Sequence, residues 1–199
     1  MTRPLLLVTG FGPFVGVDHN PSGEVARALE AEPPAVAEVR AAVLPVSFER
    51  VPAAYDALLA DLAPRRPAAL VALGVQLHAY FRLERRARAR LRSAKADNDG
   101  REGTGIVLAG GDMETGLDLE PLAAALTRAG GTEVRISEDA GGFVCEGTYH
   151  HVLKRAGELG VPGLFLHVPP VDVVAVAAQV PVVRGLLEEL VKQLDPSRV

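Results

Sequence analysis

The chain has 199 residues, of which 48% are hydrophobic and 23% charged, and its formal net charge is -4 at pH 7. This composition is typical of a globular protein, and the small acidic excess argues against a nucleic-acid-binding protein. The single cysteine, Cys145, cannot form an intramolecular disulfide, and the N-terminal apolar run is too short for a signal peptide or a membrane span. We therefore expect a cytoplasmic protein with no membrane or nucleic-acid partner, folded as a single domain over residues 1–199.

Short apolar segments typical of buried strands alternate along the chain with segments of helical periodicity. Asn20 is the expected N-cap of the first helix, Pro21 its first residue, and Pro181 a potential break in the last helix. The alternation predicts a three-layer α/β/α sandwich with a twisted, largely parallel but mixed sheet. We predict strands at 5–9, 39–46, 68–74, 132–137 and 164–168, and helices at 20–31, 48–62, 121–129, from about 143, and at 171–194.

Residues 81–91, FRLERRARARL, alternate between apolar and charged side chains except at Arg85. A period of two predicts one strand with a solvent-exposed face. On this interpretation Glu84 is a surface residue that neutralises neighbouring arginines such as Arg82, Arg86 and Arg88. Surface ion pairs of that kind contribute little stability.

Two reactive side chains are expected at the carboxyl ends of the strands, where open α/β sheets bind their ligands. Cys145 follows two glycines at a predicted helix start, where the partial positive charge of the helix favours a thiolate nucleophile. His167 ends an apolar strand, and a nucleophilic cysteine needs a base that is usually distant in sequence. Considered one at a time, however, an inert buried cysteine and a structural histidine are the commoner interpretations.

The segment that follows the first strand, TGFGPFVGVDHNPS at 9–22, has three glycines and so suggests a phosphate-binding loop. The spacing G-x-G-x-x-x-G differs from the dinucleotide fingerprint, Pro13 removes an N–H donor, and no G-K-[ST] follows. Phe11 and Phe14 are better suited to a flat, neutral and partly apolar ligand.

Three sequence blocks resemble the signatures of the pyroglutamyl peptidase type I family, also called pyrrolidone carboxyl peptidases. The blocks are VTGFGPFVGVDHNPS at 8–22, GFVCEGTYH at 142–150 and LFLHVPP at 164–170. Glu84-Arg85 and the later Asp97-Asn98 also match the family in order and spacing, so the resemblance extends over nearly the whole chain. It implies a cysteine exopeptidase that removes an N-terminal pyroglutamyl residue from peptides through a thioester acyl-enzyme. It also implies that no cofactor or metal is needed, and that the chain forms a homo-oligomer, a tetramer or dimer.

The resemblance also implies a role for individual residues. Cys145 corresponds to the nucleophile, His167 to the base, and Glu84 to the acid that orients the base. A pyroglutamyl end is a neutral lactam, which agrees with aromatic walls and a few hydrogen-bonding groups rather than a carboxylate. The residues expected to surround the pyroglutamyl ring are Phe11, Phe14, Asn20, Gln76, Phe143 and Val144.

The sequence departs from the family pattern at several places. The segment 74–82 is one residue short, so the register of Gln76 against the glutamine that contacts the lactam in relatives is open. Ala94 stands where the family has an arginine thought to help the oxyanion. Lys95, Arg92 or backbone N–H groups are the candidates to replace it.

Two further departures lie beside Cys145, where Gly142 replaces a threonine and Glu146 an asparagine. If Glu146 points inward, its charge should raise the pKa of the thiol. These changes leave two alternatives open. One is a catalytically impaired relative that binds pyroglutamate without turnover. The less favoured one is a phosphate-dependent enzyme resembling nucleoside phosphorylases, which should be indifferent to thiol alkylation.

Overall fold

The computed structural model describes residues 2–131 and 133–194, which form a six-stranded mixed sheet between two layers of helices. The strand order is β2-β1-β3-β8-β4-β7, and a separate two-stranded sheet pairs β5 with β6. The strands are β1 (Leu5–Phe11), β2 (Glu38–Leu44), β3 (Ala69–Val75), β4 (Phe81–Glu84), β5 (Arg86–Ala87), β6 (Met113–Glu114), β7 (Val134–Ser137) and β8 (Gly163–Val168). The helices are α1 (Pro21–Ala31), α2 (Arg50–Asp61), α3 (Leu119–Arg128), α4 (Val144–Leu159) and α5 (Val176–Leu194).

The central strands are apolar because helices cover both of their faces. Every residue of β1 and β8 is buried, as expected for strands in the middle of a parallel sheet. Four neighbouring pairs in the sheet are parallel, and only β4 runs antiparallel to its neighbour β8. The predicted largely parallel, mixed sheet is therefore confirmed.

Two apolar cores lie on opposite faces of the sheet. The core on one face is built with side chains of α1, α3 and α5, and the core on the other with side chains of α2 and α4. Alternate residues of each strand contribute to the two cores, because successive side chains point to opposite faces. This arrangement confirms the predicted three-layer α/β/α sandwich.

Most predicted elements are present with boundaries shifted by a few residues. Asn20 caps α1, and its side-chain oxygen accepts a hydrogen bond from the Ser22 N–H. The strand predicted at 132–137 is Val134–Ser137, and Thr132 lies outside the described residues. The last helix begins at Val176 rather than 171 and continues through Pro181 without a break. None of the helices in the described ranges is long and apolar enough to cross a membrane.

The prediction of one strand over residues 81–91 is wrong. The chain leaves the main sheet after Glu84, and Arg86–Ala87 pair with Met113–Glu114 in the small second sheet. The predicted exposed face is also wrong at Glu84, whose exposed fraction is 0%. Phe81 and Leu83 belong to the core on the opposite face, so Arg82 and Glu84 lie towards the core that contains α4, whose Tyr149 hydroxyl donates to the Glu84 carbonyl oxygen. This face is therefore turned towards protein and not water.

Candidate active site

The segment after β1 is held against the start of α1 by a small hydrogen-bond network. The Asn20 Nδ2 donates to the Gly12 carbonyl oxygen at 2.9 Å, and its Oδ1 accepts from the Ser22 hydroxyl at 2.7 Å. The Ser22 Oγ in turn accepts from the Phe11 N–H at 3.0 Å. A Cβ on Gly10 would lie 2.2 Å from the Ser22 carbonyl oxygen. This glycine therefore permits close contact between strand and helix.

A small, mostly apolar cavity opens between this loop and the start of α4. Two of its walls are the rings of Phe14 and Phe143, whose centroids are 6.1 Å apart, and Phe48 meets the Phe143 ring edge-on at 5.4 Å. Five of the six residues predicted to surround the substrate ring lie here together with the cysteine. The lining residues are Phe11, Phe14, Asn20, Val46, Val75, Phe143, Val144 and Cys145.

Gln76 is the predicted pocket residue that does not line this cavity. It is buried, and its Nε2 donates to the Tyr80 carbonyl oxygen at 2.5 Å, while its Oε1 has no partner. Sequence reasoning missed Val46 and Val75, which line the cavity instead. Both lie at or just beyond the carboxyl end of a parallel strand, and this position was the available signal for them.

Cys145 is the second residue of α4, directly after a turn that needs glycine. Gly141 and Gly142 have φ angles of 97° and 71°, a region that other residues rarely adopt. The Gly142 N–H donates to the Glu146 Oε2 at 3.1 Å, and its carbonyl oxygen accepts from the Arg92 N–H at 3.2 Å. These bonds fix the turn, so the first N–H groups of α4 are held in place beside the thiol.

The thiol is held close to the sheet and resists ionisation. A Cβ added to Gly74 of β3 would lie only 3.0 Å from the Cys145 Sγ. Burial above all, and then the charges of Glu84 and Glu146, raise the pKa of the Cys145 thiol to about 12. The nearby Arg82 and the Cys145 N–H act in the opposite direction. Burial thus opposes the thiolate expected at the helix start, and the charge of Glu146 acts in the expected direction.

Glu84 and His167 form a buried pair on the same face of the sheet. The His167 Nδ1 lies 2.7 Å from the Glu84 Oε1, and the two side chains are 4% and 0% exposed. The Tyr149 hydroxyl donates to the Glu84 carbonyl oxygen at 2.8 Å and so anchors β4 to α4. Burial lowers the pKa of His167 despite the opposing effect of Glu84. The imidazole is therefore neutral at rest, with Nδ1 engaged and Nε2 available for proton transfer.

Strand register brings these groups together. His167 pairs in register with Gly74 on one side and with Arg82 on the other. Cys145 approaches from α4 above Gly74, and the Phe165 ring centroid lies 4.9 Å from that of the His167 ring. The structure thus places the three predicted reactive residues, Glu84, Cys145 and His167, in one cluster beside the cavity.

The two side chains considered for the oxyanion have other partners. Arg92 pairs with Asp139 at 2.6 Å. The Lys95 Nζ donates to the Val15 carbonyl oxygen at 3.1 Å and lies 4.5 Å from the centroid of the Phe14 ring. Lys95 is therefore at the rim of the cavity, and the N–H groups at the start of α4 are the donors next to the Cys145 thiol.

Other ligand sites are less well supported. A second cavity lies on the far side of the α4 start, between Phe48, Leu108 and His150. It contains neither the cysteine nor the Glu84–His167 pair, so we do not regard it as a reaction site. In residues 2–131 and 133–194, no group of three or more His, Cys, Asp or Glu side chains is arranged to hold a metal ion.

Comparison with known proteins supports one family. The family model described as pyroglutamyl peptidase matches residues 5–193. The chain is 34% identical to a pyrrolidone-carboxylate peptidase of Cupriavidus pinatubonensis, over 82% of this chain and 77% of that protein. It is 33% identical to one of Gloeobacter violaceus, over 82% and 80%.

Solved structures agree on the fold. The pyrrolidone carboxyl peptidase of Thermococcus litoralis superposes with a TM-score of 0.87 at 23% identity, covering 98% of this chain and 97% of that one.

The function predicted from the sequence, removal of an N-terminal pyroglutamyl residue, is confirmed at the level of the family. This chain belongs to the pyroglutamyl peptidase family of cysteine peptidases.

Proposed function

We propose that this chain hydrolyses the bond after an N-terminal pyroglutamyl residue, with Cys145 as nucleophile, His167 as base and Glu84 as the residue that orients the base. The observation that carries the proposal is the 2.7 Å contact between the His167 Nδ1 and the fully buried Glu84 Oε1, on the face of the sheet covered by Cys145. A base oriented by a third group beside a nucleophile is the arrangement that nucleophilic catalysis requires.

The pKa directions indicate how the reaction starts. The thiol and the imidazole are both neutral at rest, since burial raises the pKa of one and lowers that of the other. The proton therefore moves from the Cys145 Sγ to the His167 Nε2 as Sγ attacks the carbonyl carbon of the pyroglutamyl bond. The N–H groups at the start of α4 stabilise the oxyanion, and the Glu84 carboxylate stabilises the imidazolium that forms.

The second half of the reaction uses the same groups in reverse. His167 gives its proton to the leaving amine, the carbon–nitrogen bond breaks, and a thioester to Cys145 remains. His167 then takes a proton from a water molecule, whose oxygen attacks the thioester. Pyroglutamate leaves and the proton returns to Sγ, so the enzyme is regenerated.

The cavity supports a neutral pyroglutamyl ring as the bound group. None of its lining side chains is charged, so no carboxylate is in position to bind the ammonium of an ordinary N-terminus. The rings of Phe11, Phe14 and Phe143 offer flat apolar walls, and the peptide bond to be broken lies next to Cys145. We expect peptides with an N-terminal pyroglutamate as substrates.

The remaining expectations concern the organisation of the protein. We propose that residues 1–199 form one peptidase domain, which is supported by two cores that share a single sheet. A homo-oligomer is supported by apolar side chains left exposed in the monomer, notably Leu77 at 84% and Val15 at 74%. A reducing compartment such as the cytoplasm suits a reactive free thiol.

The arginine-rich segment does not favour a nucleic-acid partner. Arg85 pairs with Glu138 and Arg86 with Glu114, and both Arg88 and Arg92 pair with Asp139. Three carboxylates therefore neutralise most of the charge of these four arginines, and the segment is not the unneutralised basic surface that phosphate binding requires.

The test is hydrolysis of a chromogenic pyroglutamyl amide by the purified protein, with and without prior treatment with iodoacetamide. We expect turnover that alkylation abolishes, and little turnover of the matched prolyl amide, whose ring nitrogen is charged. Binding of pyroglutamate without turnover would support the impaired relative instead. Turnover that requires phosphate and survives alkylation would support the phosphorylase-like alternative.

A further inference from the structure

Arg82 makes contacts that the proposed reaction does not use. It lies on β4 two residues before Glu84, and its Nε donates to the Glu84 Oε1 at 2.6 Å. One of its terminal nitrogens lies 3.4 Å from the His167 Nδ1. The Arg82 side chain is 19% exposed, so this guanidinium is largely enclosed with the pair that it touches.

The same carboxylate oxygen serves both neighbours. The Glu84 Oε1 receives Arg82 and His167, while the Glu84 Oε2 is buried and has no partner among the described residues. A fully buried carboxylate is costly without a cation or hydrogen-bond donors. The guanidinium supplies both, and its rigid donor geometry directs Oε1 to the point where it can also accept from Nδ1.

We propose that Arg82 is a positioning residue that sets the protonation of His167 beside Glu84, and with it the pH range over which the site works. This inference rests on the proposed function. A cation beside Nδ1 opposes formation of the imidazolium and so keeps His167 neutral and able to accept the thiol proton. The same charge favours the thiolate, and its effect lowers the pKa values of both His167 and Cys145.

Other charged groups around the pair do not duplicate this role. On β7, Arg135 is in register with Arg82, but its guanidinium pairs with Glu133 and lies 4.0 Å from the Tyr80 ring centroid. On β3, the neighbour of His167 is a glycine. On α4, Glu146 raises the pKa of the thiol, and its carboxylate accepts the N–H groups of Arg88 and Gly142. Among the described residues, the charges that shift the pKa of His167 are those of Glu84 and Arg82.

The test compares wild type with Arg82→Gln in two measurements. The first is the titration of the His167 ring by NMR, with the resonance identified by its loss in His167→Gln. The second is the acidic limb of the pH profile of kcat/KM for the pyroglutamyl amide. Without the cation, we expect the His167 pKa and the acidic limb to rise by about one pH unit.

Controls separate this role from a structural one. Arg135→Gln, on the neighbouring strand, should leave both measurements unchanged. If Arg82 has only a structural role, Arg82→Gln should lower activity at every pH without moving the acidic limb, and that result would overturn the proposal. An unchanged or lower His167 pKa in the variant would overturn it as well. If Arg82→Gln does not fold, Arg82→Lys serves instead. Its ammonium cannot contact both partners, so the His167 pKa should rise by a smaller amount, and an unchanged value would again overturn the proposal.

The NMR measurement also keeps this proposal separate from the proposed function. If the wild-type protein hydrolyses no pyroglutamyl amide, the proposed function fails, but the titration of His167 still reports whether Arg82 controls its protonation.

Discussion

Glu84→Gln tests the site most directly, because the substitution removes one charge and nearly preserves shape. The Glu84 carboxylate is fully buried and lies 2.7 Å from the imidazole nitrogen. In the transition state the imidazole carries a positive charge whose centre is about 4 Å from that of the carboxylate. At an effective dielectric constant of about 20, the attraction between two such charges is about 4 kcal/mol.

That energy corresponds to a loss of roughly 10³-fold in kcat, since each 1.36 kcal/mol is about tenfold. The Cys145 thiol and the His167 imidazole are both neutral at rest, so the imidazolium must form during the reaction and is not present beforehand. This strengthens the expectation of a large loss in kcat. The unfolding free energy should fall by only about 1–3 kcal/mol, since the glutamine oxygen still accepts from Arg82.

The assay is steady-state hydrolysis of a pyroglutamyl amide together with thermal unfolding of the same preparations. Glu114→Gln is the matched control, because the Glu114 carboxylate is half exposed and its one ion-pair partner among the described residues is Arg86 in the small sheet. It should keep kcat within about twofold and stability within about 1 kcal/mol. If Glu84→Gln also stays within twofold of wild type, the carboxylate does not stabilise the imidazolium and the reasoning is refuted.

Three further predictions follow from the cavity and the thiol. Alkylation of Cys145 by iodoacetamide should become about tenfold faster per pH unit from pH 6 to 10, because a thiol with a pKa of about 12 gains thiolate steadily over that range. Phe14→Ala should lower kcat/KM for the pyroglutamyl amide, measured by steady-state kinetics, because an apolar wall of the cavity is lost. The loss should correspond to roughly 1–3 kcal/mol of transition-state stabilisation. Gly74→Ala should reduce kcat at least about tenfold, because the added methyl meets the Phe165 ring at 2.9 Å and the Cys145 Sγ at 3.0 Å, so the thiol or the ring packed on His167 must move. Gly157→Ala, at an open helical position, should instead keep full activity and add up to about 1 kcal/mol of stability.

Each of these predictions has an outcome that contradicts it. If the alkylation rate levels off below about pH 10, the thiol of Cys145 ionises in or below the ordinary range for cysteine. An equal loss for pyroglutamyl and prolyl amides would mean that Phe14 does not recognise the ring. Full activity of Gly74→Ala would show that the position of Sγ above β3 is not critical.

Local patterns in the sequence were sufficient for most of the elements and for most of the site. Apolar runs and helical spacing predict strands and helices because burial on a sheet or a helix repeats with a fixed period. The turn before Cys145 and the cap at Asn20 depend on neighbouring residues only, so both could be located from the sequence. The family signature blocks are local as well, and five of the six predicted pocket residues lie around the cavity.

Only the tertiary structure determined whether protein or water covers the faces that these local patterns define. Alternation shows which residues share a face of a strand, but not whether water or protein covers that face. Arg82 and Glu84 lie on the face of β4 towards the core that contains α4, so two residues that resemble surface charges are largely buried beside His167. The same burial raises the pKa of Cys145 above the value that its helix position suggested. The protonation of the site depends on which charges are enclosed together, and only the packing of distant segments determines that.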